Sequence, residues 1–237
     1  MKETRPSEEL AVRKSLAVLA AACLTMIIWS GSTVVTKIAV VEVDPVAVGA
    51  LRIILAALLA GPIVWVSGYS PPGTAREVRL LALSALGGYI AFPILFSVGL
   101  KYTSASHGAL IVTTIPIFAG ITESVLNRAA PSAQWWLGVS LALTGEFLLI
   151  FFRLGFGEGG HSLLGDLVIL LSCLIVAISY ISGARLSKTY HIWPTTLWGI
   201  LLATLVLLPV LWWRAEETQW AEVGAVSWLA ILYLAVF

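Results

Sequence analysis

The sequence predicts an all-α polytopic membrane protein, and two observations carry that prediction. Of the 237 residues, 59% are hydrophobic and only 11% are charged, with a mean hydropathy of +0.96. A soluble domain carries roughly 25% charged residues because its surface faces water. Less than half of that leaves no shell to cover an apolar core, so the solvent is lipid. The second observation is a series of apolar runs of about 20 residues, each long enough to cross the hydrocarbon core as a helix. Continuous runs exclude the alternating strands of a β-barrel.

The chain opens on a polar tail, residues 1–15, carrying Lys2, Arg5, Arg13 and Lys14. The run at 16–41 that follows exceeds the roughly 7–15 residues of a signal-peptide core and is a first spanning helix. Six further complete segments follow at 46–66, 80–99, 104–126, 134–152, 163–184 and 193–213. An eighth begins near Val226 and is still apolar at Phe237. The connectors, at 42–45, 67–79, 127–133, 153–162, 185–192 and 214–225, are too short for a soluble domain. Cys23 and Cys173 lie singly in apolar runs and read as packing residues, with no metal-ligand spacing and no disulfide.

Lys and Arg placement sets the orientation, because cytoplasmic loops carry the excess. With the N-terminus in the cytoplasm, nine loop or tail cations lie inside, among them Arg76, Arg79, Arg128, Arg185 and Lys188. Three lie outside: Lys101, Arg153 and Arg214. A multi-pass protein of a bacterial inner membrane is the expectation. The net charge of +1 offers nothing to nucleic acid.

A weak internal repeat is also present. A shift of about 149 residues lays segments six and seven over one and two, and Pro194 over Pro45. Repeats of five helices must run in opposite directions, because five is odd. The charges agree: the 42–45 link has no cation, whereas its counterpart holds Arg185 and Lys188. Inverted repeats are a recurrent transporter design. The expected domains are a tail at 1–15, a first repeat at 16–152 and a second at 163–237. The second is expected to be incomplete, after about seven and a half helices of ten, in a natural chain of about 300 residues.

Three stretches carry a family resemblance. Residues 29–37 (WSGSTVVTK), followed by Asp44-Pro45 and Ala50-Leu51-Arg52, resemble the opening of an EamA domain of the drug/metabolite transporter superfamily. Residues 99–111 (GLKYTSASHGALI), leading to Pro116-Ile117-Phe118, resemble the passage from its third helix to its fourth. Gly165-Asp166 resembles the start of a second copy. The resemblance implies ten helices in two inverted copies, both termini cytoplasmic, and secondary transport or export of small metabolites such as amino acids. One departure stands out: family members often carry Gly-Glu-Arg at the cytoplasmic end of the fourth helix, where this chain has Leu126-Asn127-Arg128.

Ionisable groups inside a spanning helix are costly and are therefore functional candidates. Glu146, Glu123 and His107 are candidates for proton coupling, against packing or interfacial roles for each. Arg52 is a candidate for holding a substrate carboxylate through two parallel hydrogen bonds. Lys37 reads as snorkelling to the interface with Glu42 or Asp44 as partner, and Asp166 as a helix cap. Trp29, Tyr89, Phe92, Tyr180 and Trp198 lie deep enough to line a cavity, whereas Trp135, Trp136, Trp212, Trp213 and Trp220 read as interfacial anchors. Thr113 and Thr114 precede Pro116, which frees a backbone carbonyl where a substrate can be read.

These readings point to a secondary transporter for a small organic metabolite such as an amino acid or amine, working by alternating access. The alternative classes are a membrane enzyme or a channel-like protein. The chain has no His-Glu-x-x-His, no Gly-x-Ser-x-Gly, no phosphate loop and no filter motif. No catalytic residue, metal site or cofactor is expected. The expected partners are the lipid bilayer and a small-molecule substrate, and a homodimer is left open.

Overall fold

The computed structural model describes residues 6–153 and 162–236; the expected 153–162 link lies mostly outside them, as do residues 1–5 and 237. Among the described residues the regular structure is entirely helical. Helix α1 (Pro6–Glu42) starts on a proline, which suits the first helical position because its missing N–H has no partner there in any case. It therefore runs back through most of the polar tail.

A two-residue link, Val43-Asp44, leads into α2 (Pro45–Ser67). The Asp44 carboxylate caps that helix, accepting from the backbone N–H of Val46 and Ala47, both at 3.1 Å. Gly68, at φ 64°, closes it in the left-handed conformation that glycine adopts without strain. Thr74 and Glu77 form a reciprocal capping box that starts α3 (Ala75–Ser84).

The third span is not one regular helix. Between α3 and α4 (Phe92–Tyr102) a seven-residue π-helical stretch, Ala85–Ala91, widens the backbone around Gly87, Gly88 and Tyr89. The fourth span is broken as well. Helix α5 (Ala105–Val112) and α6 (Ile115–Asn127) are separated by Thr113-Thr114, whose N–H groups bond three residues back to Leu110 and Ile111. Pro116 has no N–H to offer Val112, so the α-helical ladder cannot close there.

Helix α7 (Ala133–Arg153) is followed by α8 (Leu163–Tyr190), α9 (Ile192–Arg214) and α10 (Ala225–Val236). Fading hydropathy after Ala184 suggested a connector at 185–192. Helix α8 instead continues to Tyr190, because no proline or glycine interrupts the hydrogen-bonded ladder after Gly183. Only His191 separates α8 from α9. Its φ of 65° and ψ of 160° lie where L-residues are strained by about 1–3 kcal/mol.

Six of these helical stretches are long and apolar enough to cross a membrane: Val18–Glu42, Pro45–Ser67, Ala75–Tyr102, Ala105–Asn127, Leu163–Tyr190 and Ile192–Glu217. With α7, 21 residues long, they match the seven expected segments, and α10 matches the eighth. The chain is a multi-pass membrane protein.

Helix α2 packs along α9, α1 packs on α10, and α8 packs on α3 and α4. Exchanging segments one, two and three for six, seven and eight turns this set of pairs into itself. Small residues allow the close crossings, as expected where lipid supplies no hydrophobic drive between helices. A Cβ on Gly49 would lie 2.7 Å from the Ile94 Cα, and one on Gly99 would lie 2.8 Å from the Gly165 carbonyl oxygen. Buried apolar clusters join α1, α2 and α10 around Val43, Val48 and Ile231, and join α4 and α8 around Phe96, Leu100 and Ile169.

Candidate functional site

The up-and-down course of the helices gives the bundle two ends. One carries the α1–α2 link, the α4–α5 link and the α9–α10 link, and is called the Asp44 end. The other carries the α2–α3 link, the α6–α7 link and His191, and is called the Arg185 end.

A cavity of about 1000 Å³ runs from mid-depth to the Arg185 end. Trp29 of α1, Arg52 of α2, Tyr89 of the π stretch and Tyr180 of α8 line its deep part, with Lys188 and His191 at the end. Four of the residues singled out in the sequence thus come from four different spans to one chamber. The π stretch has a direct part in this. It brings Gly88 against the Ser179 hydroxyl of α8 and lays the Tyr89 ring over Gly199 of α9, where a Cβ would lie 2.6 Å from the ring. The Ser179 hydroxyl donates to the Ser84 carbonyl at 2.9 Å, closing the α3–α8 contact beside the widened turn.

A smaller cavity of about 230 Å³ adjoins it on the side of α5. It shares Trp29, Arg52 and Phe92 with the large one and adds Thr33, Phe96 and Thr113. Arg52 stands between the two chambers. Its Nε is buried with no hydrogen-bond partner, and no described carboxylate pairs with its guanidinium. The Tyr180 phenol lines the same large cavity.

The other intramembrane cation behaves differently. Lys37 does not pair with Glu42 or Asp44, as its position suggested. Its Nζ donates to the carbonyls of Leu100 at 2.7 Å and Lys101 at 3.3 Å, the C-terminal end of α4, where carbonyls lack helical partners. Both acids are engaged elsewhere. Asp44 is bound by Arg214 at 2.8 Å and its N–H donates to the Thr218 hydroxyl, while Glu42 accepts from the Gly224 N–H at 2.8 Å.

Thr114 donates its hydroxyl to the Ile111 carbonyl at 2.6 Å, and Cys173 approaches the same carbonyl at 3.7 Å. Trp198 is not among the residues of the central cavity; its indole N–H donates to the Tyr69 carbonyl at 3.3 Å near the Arg185 end. Asp166 lies within the first turn of α8 rather than at its cap. It accepts from the Thr103 hydroxyl at 2.6 Å and faces His107 Nδ1 at 3.2 Å, tying α8 to the start of α5. Glu123 is half-exposed near the Arg185 end, 3.6 Å from Arg185, and accepts from Asn127 at 2.6 Å. Asn127, where the family pattern has Glu, accepts from Arg185 at 3.0 Å. The side chain of Glu146, on α7, lies outside the described residues.

The π stretch, the Asp44–Arg214 pair and the strained His191 were not anticipated. Two adjacent glycines mid-span, followed by Pro93, were the available signal for the first. The second joins residues 170 positions apart and has no local signal.

Residues 16–151 and 163–237 match the model of the EamA-like transporter family. The chain belongs to the EamA-like transporter family. The uncharacterized transporter YdeK of Bacillus subtilis is 26% identical over 212 residues, covering 90% of this chain and 72% of that one. The uncharacterized transporter YdfC of the same organism is 32% identical over 164 residues, or 68% of this chain and 51% of that one. An uncharacterized transporter of Archaeoglobus fulgidus is 26% identical over 78% of this chain and 64% of its own. This EamA-like chain thus spans between half and about three-quarters of these relatives' lengths. A crystal structure superposes on 89% of the chain and 70% of its own at a TM-score of 0.60; at 18% identity this likeness concerns the fold alone. The resemblance drawn from residues 29–37 and 99–118 is thereby borne out.

Proposed function

We propose that the protein is a secondary transporter that exports a small organic metabolite by alternating access between two inverted repeats, with the central cavity as its solute site. The observation that carries this reading is the contrast in polar groups with depth. Asp44–Arg214 and Glu123–Arg185 form ion pairs near the two ends of the bundle, whereas the deep part of the cavity holds a guanidinium that no described carboxylate pairs, among aromatic rings. A solute-sized space at mid-depth between segments of both halves is where transporters of repeat design hold their cargo. The self-exchanging packing of α1, α2 and α10 with α8, α9, α3 and α4 supports a two-fold relation between the repeats. In this reading the N-terminus and the Arg185 end face the cytoplasm of a bacterial cell, and the Asp44 end faces out.

Proton coupling is assigned to Glu146, the carboxylate deepest in the sequence of a spanning helix, because the other two candidates have partners near the bundle ends. The test is solute counterflow in proteoliposomes with amino acids, amines and organic acids, with and without a pH gradient. Saturable exchange that a pH gradient accelerates is the expected result, and Glu146→Gln should keep exchange while losing the acceleration. Fluxes equal to those of protein-free liposomes for every class would overturn the transport reading.

A further inference from the structure

We infer that the central cavity selects an organic anion, holding its acidic group at Arg52 and one ring-sized apolar body in the smaller chamber beside it. The inference rests on the transport reading above and narrows its substrate class.

The first argument is where the negative charge is. Asp44 serves Arg214 and the α2 cap, Glu42 the Gly224 N–H, Glu77 the α3 cap, Glu123 Arg185, and Asp166 Thr103 and His107. None of these carboxylates lines either chamber, whereas Arg52 lines both and Lys188 stands at the end of the larger one. An uncompensated charge taken out of water is strongly unfavourable unless a counter-ion and hydrogen bonds replace its hydration. Lys37 meets that need from the protein's own carbonyls. Arg52 does not, and its fork of N–H donors matches a carboxylate, sulfonate or phosphonate. An amine would meet no described carboxylate in either chamber, so the amine class named among the expected solutes is the one this cavity disfavours.

The second argument is size and surface. A cavity of about 150 Å³ holds one benzene. The smaller chamber, at about 230 Å³, therefore has room for a single substituted ring. Trp29, Phe92, Phe96 and Val112 give it an apolar lining, and Arg52 stands at its mouth. Thr33 and Thr113 also line it; the Thr113 hydroxyl donates to the Leu110 carbonyl at 2.6 Å.

The experiment compares three solutes of one shape: 3-phenylpropionate, phenethylamine and phenylalanine. Each is tested for counterflow in proteoliposomes and for thermal stabilisation of the detergent-solubilised protein. The acid should be exchanged and should raise the melting temperature, and a tenfold excess of the amine should not compete. Removing a charge-assisted bidentate contact weakens binding by roughly tenfold to a hundredfold. Arg52→Gln should show that loss for the acid, and Arg52→Lys should recover part of it. Exchange of the amine in preference to the acid would overturn the anion assignment while leaving the transport reading intact. Stabilisation by the acid without exchange of any solute would do the reverse. Absence of both binding and exchange for the acid overturns the assignment in wild-type protein, whether or not the Arg52 variants fold.

Discussion

The two ends of the bundle are held by different kinds of contact. At the Asp44 end, backbone meets backbone: Gly49 lies on Pro93-Ile94, and Gly99 and Gly165 face each other's carbonyls. Charge reinforces this, because the α1–α2 link is tied to the α9–α10 link by Asp44–Arg214 and by Glu42 on the Gly224 N–H. From mid-depth toward the Arg185 end, the nearest approaches are to side chains, although a Cβ on Gly87 would also lie 3.1 Å from the Ile175 carbonyl oxygen. Gly88 meets the Ser179 hydroxyl and Gly183 the Ser84 hydroxyl, and the Glu123–Arg185 pair is half-exposed. The strained His191 also lies there, beside the cavity. Alternating access needs one end to hold while the other parts. Under the alternating access proposed above, this difference would make the Asp44 end the one held in this conformation, with the cavity reaching the other end.

The largest effect expected from this comparison is on packing. Gly49→Ala places a methyl 2.7 Å from backbone that cannot move without displacing α4. Overpacking of this kind costs about 1–3 kcal/mol or more. Gly183→Ala meets a serine hydroxyl at 3.0 Å, which can turn away, and gains helix propensity of about 1 kcal/mol. Melting in detergent should therefore fall sharply for the first and stay level or rise for the second. Equal losses would erase the distinction between the ends.

Next comes the charge clamp. Asp44→Asn keeps an N-cap acceptor but removes the ionic partner of Arg214, and Asp44→Ala removes both. The alanine variant should lose about 1 kcal/mol beyond the asparagine variant, the usual worth of an N-cap. Both should speed maleimide labelling of a cysteine placed at Ser30, which lines the smaller chamber, when the reagent is added from the Asp44 side. The background for this measurement lacks Cys23 and Cys173. Unchanged labelling would show that the clamp does not govern access.

A smaller effect is expected at the α8–α9 link. His191 holds a φ of 65° with ψ of 160°, a region only glycine enters freely. His191→Gly should relieve part of the strain, about 1 kcal/mol net of the added chain entropy, and His191→Val should lose stability. A lower melting temperature for the glycine variant would mean that the imidazole, rather than the backbone, is what the link requires.

How much of this was legible in the sequence depends on the range of the interaction involved. The spans could be read because hydropathy is a local property, and the break at Thr113-Thr114 because proline removes a donor wherever it stands. Trp29, Tyr89, Tyr180 and Arg52 could be placed at depth by counting along their helices, and they meet in the cavity. Trp198, grouped with them, lies in the second turn of α9 near the Arg185 end and donates to the Tyr69 carbonyl. Counting along the segment already set it apart, and rotation about the helix axis could not be read at all. The same limit explains why Lys37 and Arg52 looked alike in the sequence. The α4 carbonyls that satisfy Lys37 are more than 60 residues away, and the lack of partners at Arg52 is a property of the assembled bundle. Helix α8 outruns the apolar segment 163–184 because hydropathy reports burial in an apolar layer, whereas helical hydrogen bonding can continue beyond it to Tyr190.

The smallest expected effect concerns Glu123, and it tests both the looseness of the Arg185 end and the exclusion of this residue from coupling. Its carboxylate accepts from Asn127 at 2.6 Å and lies 3.6 Å from Arg185, with Asn127 bridging the two. Glu123→Gln retains an oxygen for Asn127 and removes only the charge. Half-exposed pairs contribute about 0.5 kcal/mol, and salt screens them. The variant should melt within a degree or two of wild type, and 1 M salt should narrow even that gap. Its exchange should still respond to a pH gradient, because a carboxylate paired near the end of the bundle is not in the path between the chambers. A loss as large as that of Asp44→Asn would place a second clamp at the Arg185 end, making the two ends alike. A lost pH response with unchanged melting would transfer the coupling role from Glu146 to Glu123. The Asn127–Arg185 contact, which occupies the place of the family's Gly-Glu-Arg glutamate, would then be read as part of the coupling machinery.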